Sequence, residues 1–145
     1  MSQTTASIPE LLTACRTIAV VGLSAKSNRP SHEVAHYLQT HGYRIIPVNP
    51  TYARMYILGE LCYTSVREAA ARLAQQDVKI EIVDCFRKAE AIMPIAEEAI
   101  AIGARCLWMQ SGIVNDEAAA RARAGGLQVV MDRCIKIEHM RAAIG

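Results

Sequence analysis

An α/β domain built on a doubly wound parallel five-stranded sheet, with helices on both faces, is the fold class this sequence predicts. Three observations predict it. Short β-rich runs alternate with helical patterns along all 145 residues, as βαβ units and a parallel sheet require. The apolar run Ile18 to Val21 ends in Gly22 and a polar loop, and Pro30-Ser31 then opens a helical pattern. That is the strand, glycine turn and helix start of a nucleotide-binding α/β unit. No internal repeat, low-complexity tract or linker interrupts the alternation. Residues 1–145 are therefore expected to form one domain, with 1–12 as a lead-in helix and tail.

The elements follow in order. Ser7-Ile-Pro-Glu-Leu-Leu is a capped lead-in helix with Pro9 in its first turn. The first strand is Thr17 to Val21. Ser31 to Thr40 forms a helix with Val34, Ala35 and Leu38 on one face, stopped at Gly42. The second strand is Tyr43 to Val48, and a longer loop runs from Asn49 to Tyr63. Ser65-Val-Arg-Glu68 is a capping-box pattern opening a helix to about Gln75. Ile80 to Val83 is the third strand. The helical stretch Lys88 to Ile102 contains Pro94, which predicts a kink or a late start. Arg105 to Met109 is the fourth strand, and Asn115 caps a helix ending at Gly125-Gly126. Leu127 to Met131 is the fifth strand, followed by a helix from about Arg133 to Ala143. Right-handed crossovers give an expected order 3-2-1-4-5. The crevice then lies at the carboxyl ends of strands one and four, with Gly22-Leu23-Ser24 and Gln110-Ser111-Gly112 as its lips.

Composition bounds the function. A hydrophobic share of 52% with 21% charged residues suits a folded, soluble globule. A net charge of +2, with no Lys/Arg-rich block, argues against a nucleic-acid partner. The N-terminus lacks the basic and apolar regions of a signal peptide. No stretch reaches the ~18 apolar residues of a membrane span, so no membrane partner is expected. Five cysteines, an odd number without a C-x-x-C pair, point to free thiols in a reducing compartment and a cytoplasmic location.

The chemistry concentrates at strand ends. In the first loop, Gly22 permits close backbone approach, while Ser24, Ser27 and Ser31 offer hydroxyls. Lys26 and Arg29 add positive charge, Asn28 lies between them, and the helix start supplies free N–H groups for a phosphate. The fingerprint G-x-G-x-x-G is absent, and the second strand ends in Pro47-Val48-Asn49-Pro50 rather than an acidic residue. The ligand expected is thus a phosphate-bearing adenine compound other than NAD. Val48, Asn49 and Pro50 form a stiff shelf for an adenine ring or a pantetheine arm, or simply a stiff strand exit.

Phe86, the sole phenylalanine, walls the crevice or packs in the core. Arg87 contacts a phosphate, or else the carboxylate of Glu81 or Glu90. Arg54 is a further candidate for a ribose phosphate, and the same residue would serve NADP. Trp108 and Met109 are core residues. His32 and His36 stand four apart without a third ligand, so no metal site is expected. Cys134, after Asp132-Arg133, is either a reactive thiol or a small buried hydrophobe.

Taken jointly, Val21-Gly-Leu-Ser24, Asn28-Arg-Pro-Ser31, Pro47-Val-Asn-Pro50, Leu107-Trp-Met-Gln-Ser-Gly-Ile113 and Met131-Asp-Arg-Cys134 carry a resemblance. The chain resembles the small stand-alone coenzyme A-binding domain proteins from about Thr13 to Glu138, and through them the first domain of the succinyl-CoA synthetase α subunit. The resemblance implies a Rossmann-like fold. It implies that the Gly22 to Ser31 loop holds the CoA phosphates. Val48 to Pro50 and Phe86 would line the adenine and pantetheine groove, with Gln110 and Gly112 closing the crevice. The ligases' phosphorylated histidine lies in a following domain, so a CoA or acyl-CoA binding module without catalytic residues is expected. It would act as a carrier, sensor or accessory subunit, with a protein partner or homo-oligomer allowed. The rival expectation is an NADP-linked oxidoreductase or another nucleotide-binding enzyme.

Overall fold

A computed structural model describes residues 5–142. Five parallel strands form the main sheet: β1 (Thr17–Val21), β2 (Arg44–Val48), β5 (Ile82–Cys85), β6 (Cys106–Met109) and β7 (Gln128–Val130). Their spatial order is β2-β1-β5-β6-β7. A two-stranded antiparallel hairpin, β3 (Tyr56–Ile57) and β4 (Glu60–Leu61), stands apart. Among the described residues six α-helices complete the fold: α1 (Ile8–Ala14), α2 (Pro30–Thr40), α3 (Val66–Ala74), α4 (Ile92–Ala101), α5 (Asp116–Ala124) and α6 (Ile135–Arg141).

Side-chain alternation along the strands decides which helix covers which face. Ile18, Val20, Ile45, Ile82 and Trp108 pack with Leu11 and Leu12 of α1, Val34 and Leu38 of α2, and Ile135 of α6. Ala19, Val21, Ile46, Val83 and Leu107 pack with Val66 and Leu73 of α3, Ile95 and Ala99 of α4, and Ala118 and Ala122 of α5. Both faces are therefore dry, which explains why the strands are apolar throughout rather than alternating. The fold is α/β and Rossmann-like, as expected.

The strand order carries one difference of detail. The expected third strand, observed as Ile82–Cys85, pairs with β1 rather than lying outside β2. The place outside β2 is held by a single parallel bridge, Val48 to Tyr63. Tyr63 N donates to Pro47 O at 3.0 Å and Asn49 N to Tyr63 O at 2.9 Å. Counting this stub as the third strand restores the 3-2-1-4-5 pattern, with β7 as a sixth. The stub is short because Ser65 caps α3 two residues later, its side chain accepting from Glu68 N. A one-bridge strand has no periodicity to read. The expected loop 49–63 also holds a 3-10 turn (Pro50–Tyr52) and the hairpin. The hairpin reverses at Leu58-Gly59, whose φ values of 52° and 79° suit a two-residue turn.

The box expected at Ser65 is one-sided, since the Glu68 side chain accepts from Thr64 N instead of Ser65 N. Ser7 and Glu10 form a reciprocal capping box. Pro94 occupies the third position of α4, behind a 3-10 turn at Ala89–Ala91, so the helix starts late and does not kink. There its missing N–H costs no helical bond. No helix among the described residues is long and apolar enough to cross a membrane.

Candidate functional site

The winding reverses between β1 and β5, so the crevice opens where Gly22 faces Phe86. Phe86 N donates to Val21 O at 2.8 Å, and Gly22 N donates to Val48 O at 2.8 Å. Gly22 has φ +92°, and a Cβ there would lie 2.5 Å from the Phe86 carbonyl oxygen. Only glycine fits both demands. The second lip is thus Phe86-Arg87-Lys88, closer to β1 than the expected Gln110-Ser111-Gly112.

The first loop is braced by its own serines. Ser24 N donates to Ser31 Oγ at 3.0 Å, and Lys26 N to Ser24 Oγ at 3.1 Å. Asn49 ties the loop to the end of β2: its Nδ2 donates to Leu23 O at 3.1 Å, while its Oδ1 accepts from Thr51 N at 3.0 Å. The result is an open cleft of about 400 Å³. Its walls include Gly22, Ser24, Lys26, Arg29 and Ser31 from one side, and Asn49, Thr51, Tyr52 and Phe86 from the other. The start of α2 opens on it with no side-chain cap at Arg29, leaving first-turn N–H groups for an anion.

Six of the sixteen Lys and Arg side chains are paired with a carboxylate among the described residues. Arg44, Arg54 and Arg133 are held by Glu60, Glu68 and Glu138, at 2.9, 2.8 and 3.7 Å. Lys26, Arg29, Arg87 and Lys88 have no carboxylate partner among the described residues, and all four border the crevice. Arg54, a candidate for a ribose phosphate, is thereby committed to Glu68.

A second, apolar cavity of about 560 Å³ continues past Phe86. Pro30 and Phe86 border both spaces. Its walls are Val34 of α2, Ile113, Cys134 and Ile137, with Arg87, Lys88, Gln110 and Ser111 at its polar side. Phe86 is half-buried at the junction. Trp108, fully buried, donates Nε1–H to Arg133 O at 2.8 Å and so fixes the backbone that carries Cys134.

Not every expected residue joins these spaces. Val48 is buried in the α3-side core, because its register partner Val21 points the same way. Pro50 is exposed and lines neither cavity, and the shelf is made by Thr51 and Tyr52 instead. Asn28 and Gly112 are exposed and line neither; Gly112 N donates to Asp132 Oδ1 at 2.7 Å. Glu81 accepts from Arg16 N and Thr17 N at the opposite end of the sheet, far from Arg87. No group of three metal-binding side chains occurs among the described residues. Cys15, Cys62, Cys85 and Cys106 are buried, and only Cys134 is partly open.

Asp84 is the residue that sequence reasoning passed over. It is fully buried on β5, and its Oδ1 accepts from Gln110 Nε2 at 2.6 Å. Its Oδ2 has no partner. Burial pushes its pKa up to about 7, against the opposing pull of the Gln110 bond. The available signal was an acidic residue inside the apolar run Ile82-Val-Asp-Cys85, where an unpaired charge is costly.

Comparison with known proteins places this geometry in a family. A protein of Bacillus subtilis (strain 168) described as uncharacterized protein YneT is 41% identical over 134 residues, covering 92% of this chain and 93% of its own. A hypothetical protein from Pyrococcus horikoshii OT3 is 38% identical, with TM-score 0.82 over 98% of this chain and 99% of that one. A dinucleotide-forming acetyl-coenzyme A synthetase 1 of Ca. Korarchaeum cryptofilum shares the fold alone, at 19% identity and TM-score 0.63, over 80% of this chain and 26% of that one. The family model described as CoA binding domain matches residues 16–140, nearly all of the sheet, the loop at Gly22 and both cavities, and the chain belongs to that family.

Proposed function

We propose that this protein is a binding module for coenzyme A or an acyl-CoA, with no reaction of its own. The observation that carries the reading is the pairing of two unlike spaces. A cleft bordered by Lys26 and Arg29 and an apolar cavity share Pro30 and Phe86 as lining residues. Coenzyme A has the same polarity profile: a diphosphate and a ribose phosphate at one end, an uncharged arm at the other. Lys26, Arg29 and the first turn of α2 take the phosphates, with Arg87 and Lys88 across the crevice. Tyr52 and Thr51 flank the adenine, and the arm passes Phe86. Gly22, Ser24, Ser31 and Asn49 shape the loop; Gln110 meets the arm from below. The unbonded thiols suit a reducing compartment such as the cytoplasm.

The NADP reading depended on Arg54, which is paired with Glu68. Thermal unfolding with each nucleotide separates the two. CoA near a hundred times its Kd is expected to raise Tm by roughly 5–10 °C, with NADP giving little. A larger shift from NADP than from CoA reverses the assignment.

A further inference from the structure

We propose that the apolar cavity behind Phe86 is an acyl site, so that the preferred ligand is a coenzyme A thioester carrying a short hydrocarbon chain rather than the free thiol. This rests on the reading of the neighbouring cleft as the seat of the phosphates. The two spaces share Pro30 and Phe86, so a ligand held by its phosphates continues into the cavity. Arg87, Lys88 and Ser111 are exposed at its polar side, and Val34 and Gln110 are buried in its lining. Its apolar walls are Val34, Ile113, Cys134 and Ile137. That surface suits hydrocarbon and offers an amide little.

One polar side chain is built into the lining. Gln110 is 4% exposed, and Asp84 Oδ1 holds its Nε2 at 2.6 Å. Its second N–H and its Oε1 have no partner among the described residues, and the Asp84 Oδ2 behind it is buried without a donor. A thioester carbonyl gives the free N–H an acceptor that a thiol provides only weakly. Ile137, on the wall, is 45% exposed. A hydrocarbon chain would cover it, and each fully buried methylene is worth about fourfold in affinity.

Calorimetric titration of the whole protein with CoA, acetyl-CoA, propionyl-CoA and butyryl-CoA tests this. Affinity is expected to rise two- to fourfold per added methylene, with free CoA weakest. Ile137→Ser, a change at a half-open position that leaves the core intact, is expected to flatten the series. Equal affinity across the series, or tightest binding of free CoA, overturns the acyl site while leaving the phosphate cleft standing. A slope that persists unchanged in Ile137→Ser also overturns it. Failure of every member to bind removes the cleft reading as well.

Discussion

Gly22 and Asp84 show what single residues contribute, and they differ in how visible they are. A glycine closing an apolar run announces a turn, and at Gly22 both the backbone angle and the 2.5 Å approach to Phe86 O require it. Gly22→Ala must part β1 from β5, so it is expected to cost at least about 2 kcal/mol of stability and to weaken CoA binding. Thermal unfolding and titration check both. Asp84 was hidden because an apolar run sets a strand and says nothing of which neighbour satisfies the odd carboxyl. Its folded pKa, raised to about 7, lies above that of an exposed aspartate. Between roughly pH 4 and 7 the folded state therefore holds the extra proton, and this group's contribution to stability falls as pH rises through that window. Asp84→Asn is expected to flatten that loss and to gain on the order of 1–3 kcal/mol at pH 8. An unchanged pH profile in urea unfolding would place the charge elsewhere.

Elements were legible where their signal is local. The caps at Ser7, Ser65 and Asn115 lie at the expected residues, because one side chain accepting from a backbone N–H three residues on needs no knowledge of the fold. The loop from Asn49 to Tyr63 was not legible. Its hairpin strands are two residues each, and its third-strand stub is one bridge, too short for any period to show. Missing that stub moved the winding reversal by one strand, which is why Gln110-Ser111-Gly112 was expected as a lip that Phe86-Arg87-Lys88 supplies. Asn115 also joins two elements, since its Nδ2 donates to Ala89 O at 2.8 Å in the turn before α4. Asn115→Ala is expected to cost about 1–2 kcal/mol, measured by chemical unfolding. A loss under a few tenths would show the cap to be idle.

Across the whole molecule, ten Lys and Arg side chains have no carboxylate partner among the described residues. Four of these, Lys26, Arg29, Arg87 and Lys88, border the cleft or the cavity beside it. Free cations, an uncapped helix start and a closely packed glycine all converge on the point where the sheet reverses its winding. Sequence sufficed for the class of fold and for the loop that walls the cleft, since both rest on short contiguous patterns. The apolar cavity was beyond it: Val34, Ile113, Cys134 and Ile137 come from separate parts of the chain, and only the sheet order brings them together.

Calorimetric titration of CoA into wild type and Arg29→Ala, at low and at high salt, tests the central claim most directly. The wild type is expected to bind with a negative heat-capacity change and to weaken as salt screens the cleft. Arg29→Ala should lose roughly tenfold or more in affinity and part of the salt dependence. Absence of binding heat for the wild type, or an affinity indifferent to both salt and Arg29, would contradict it.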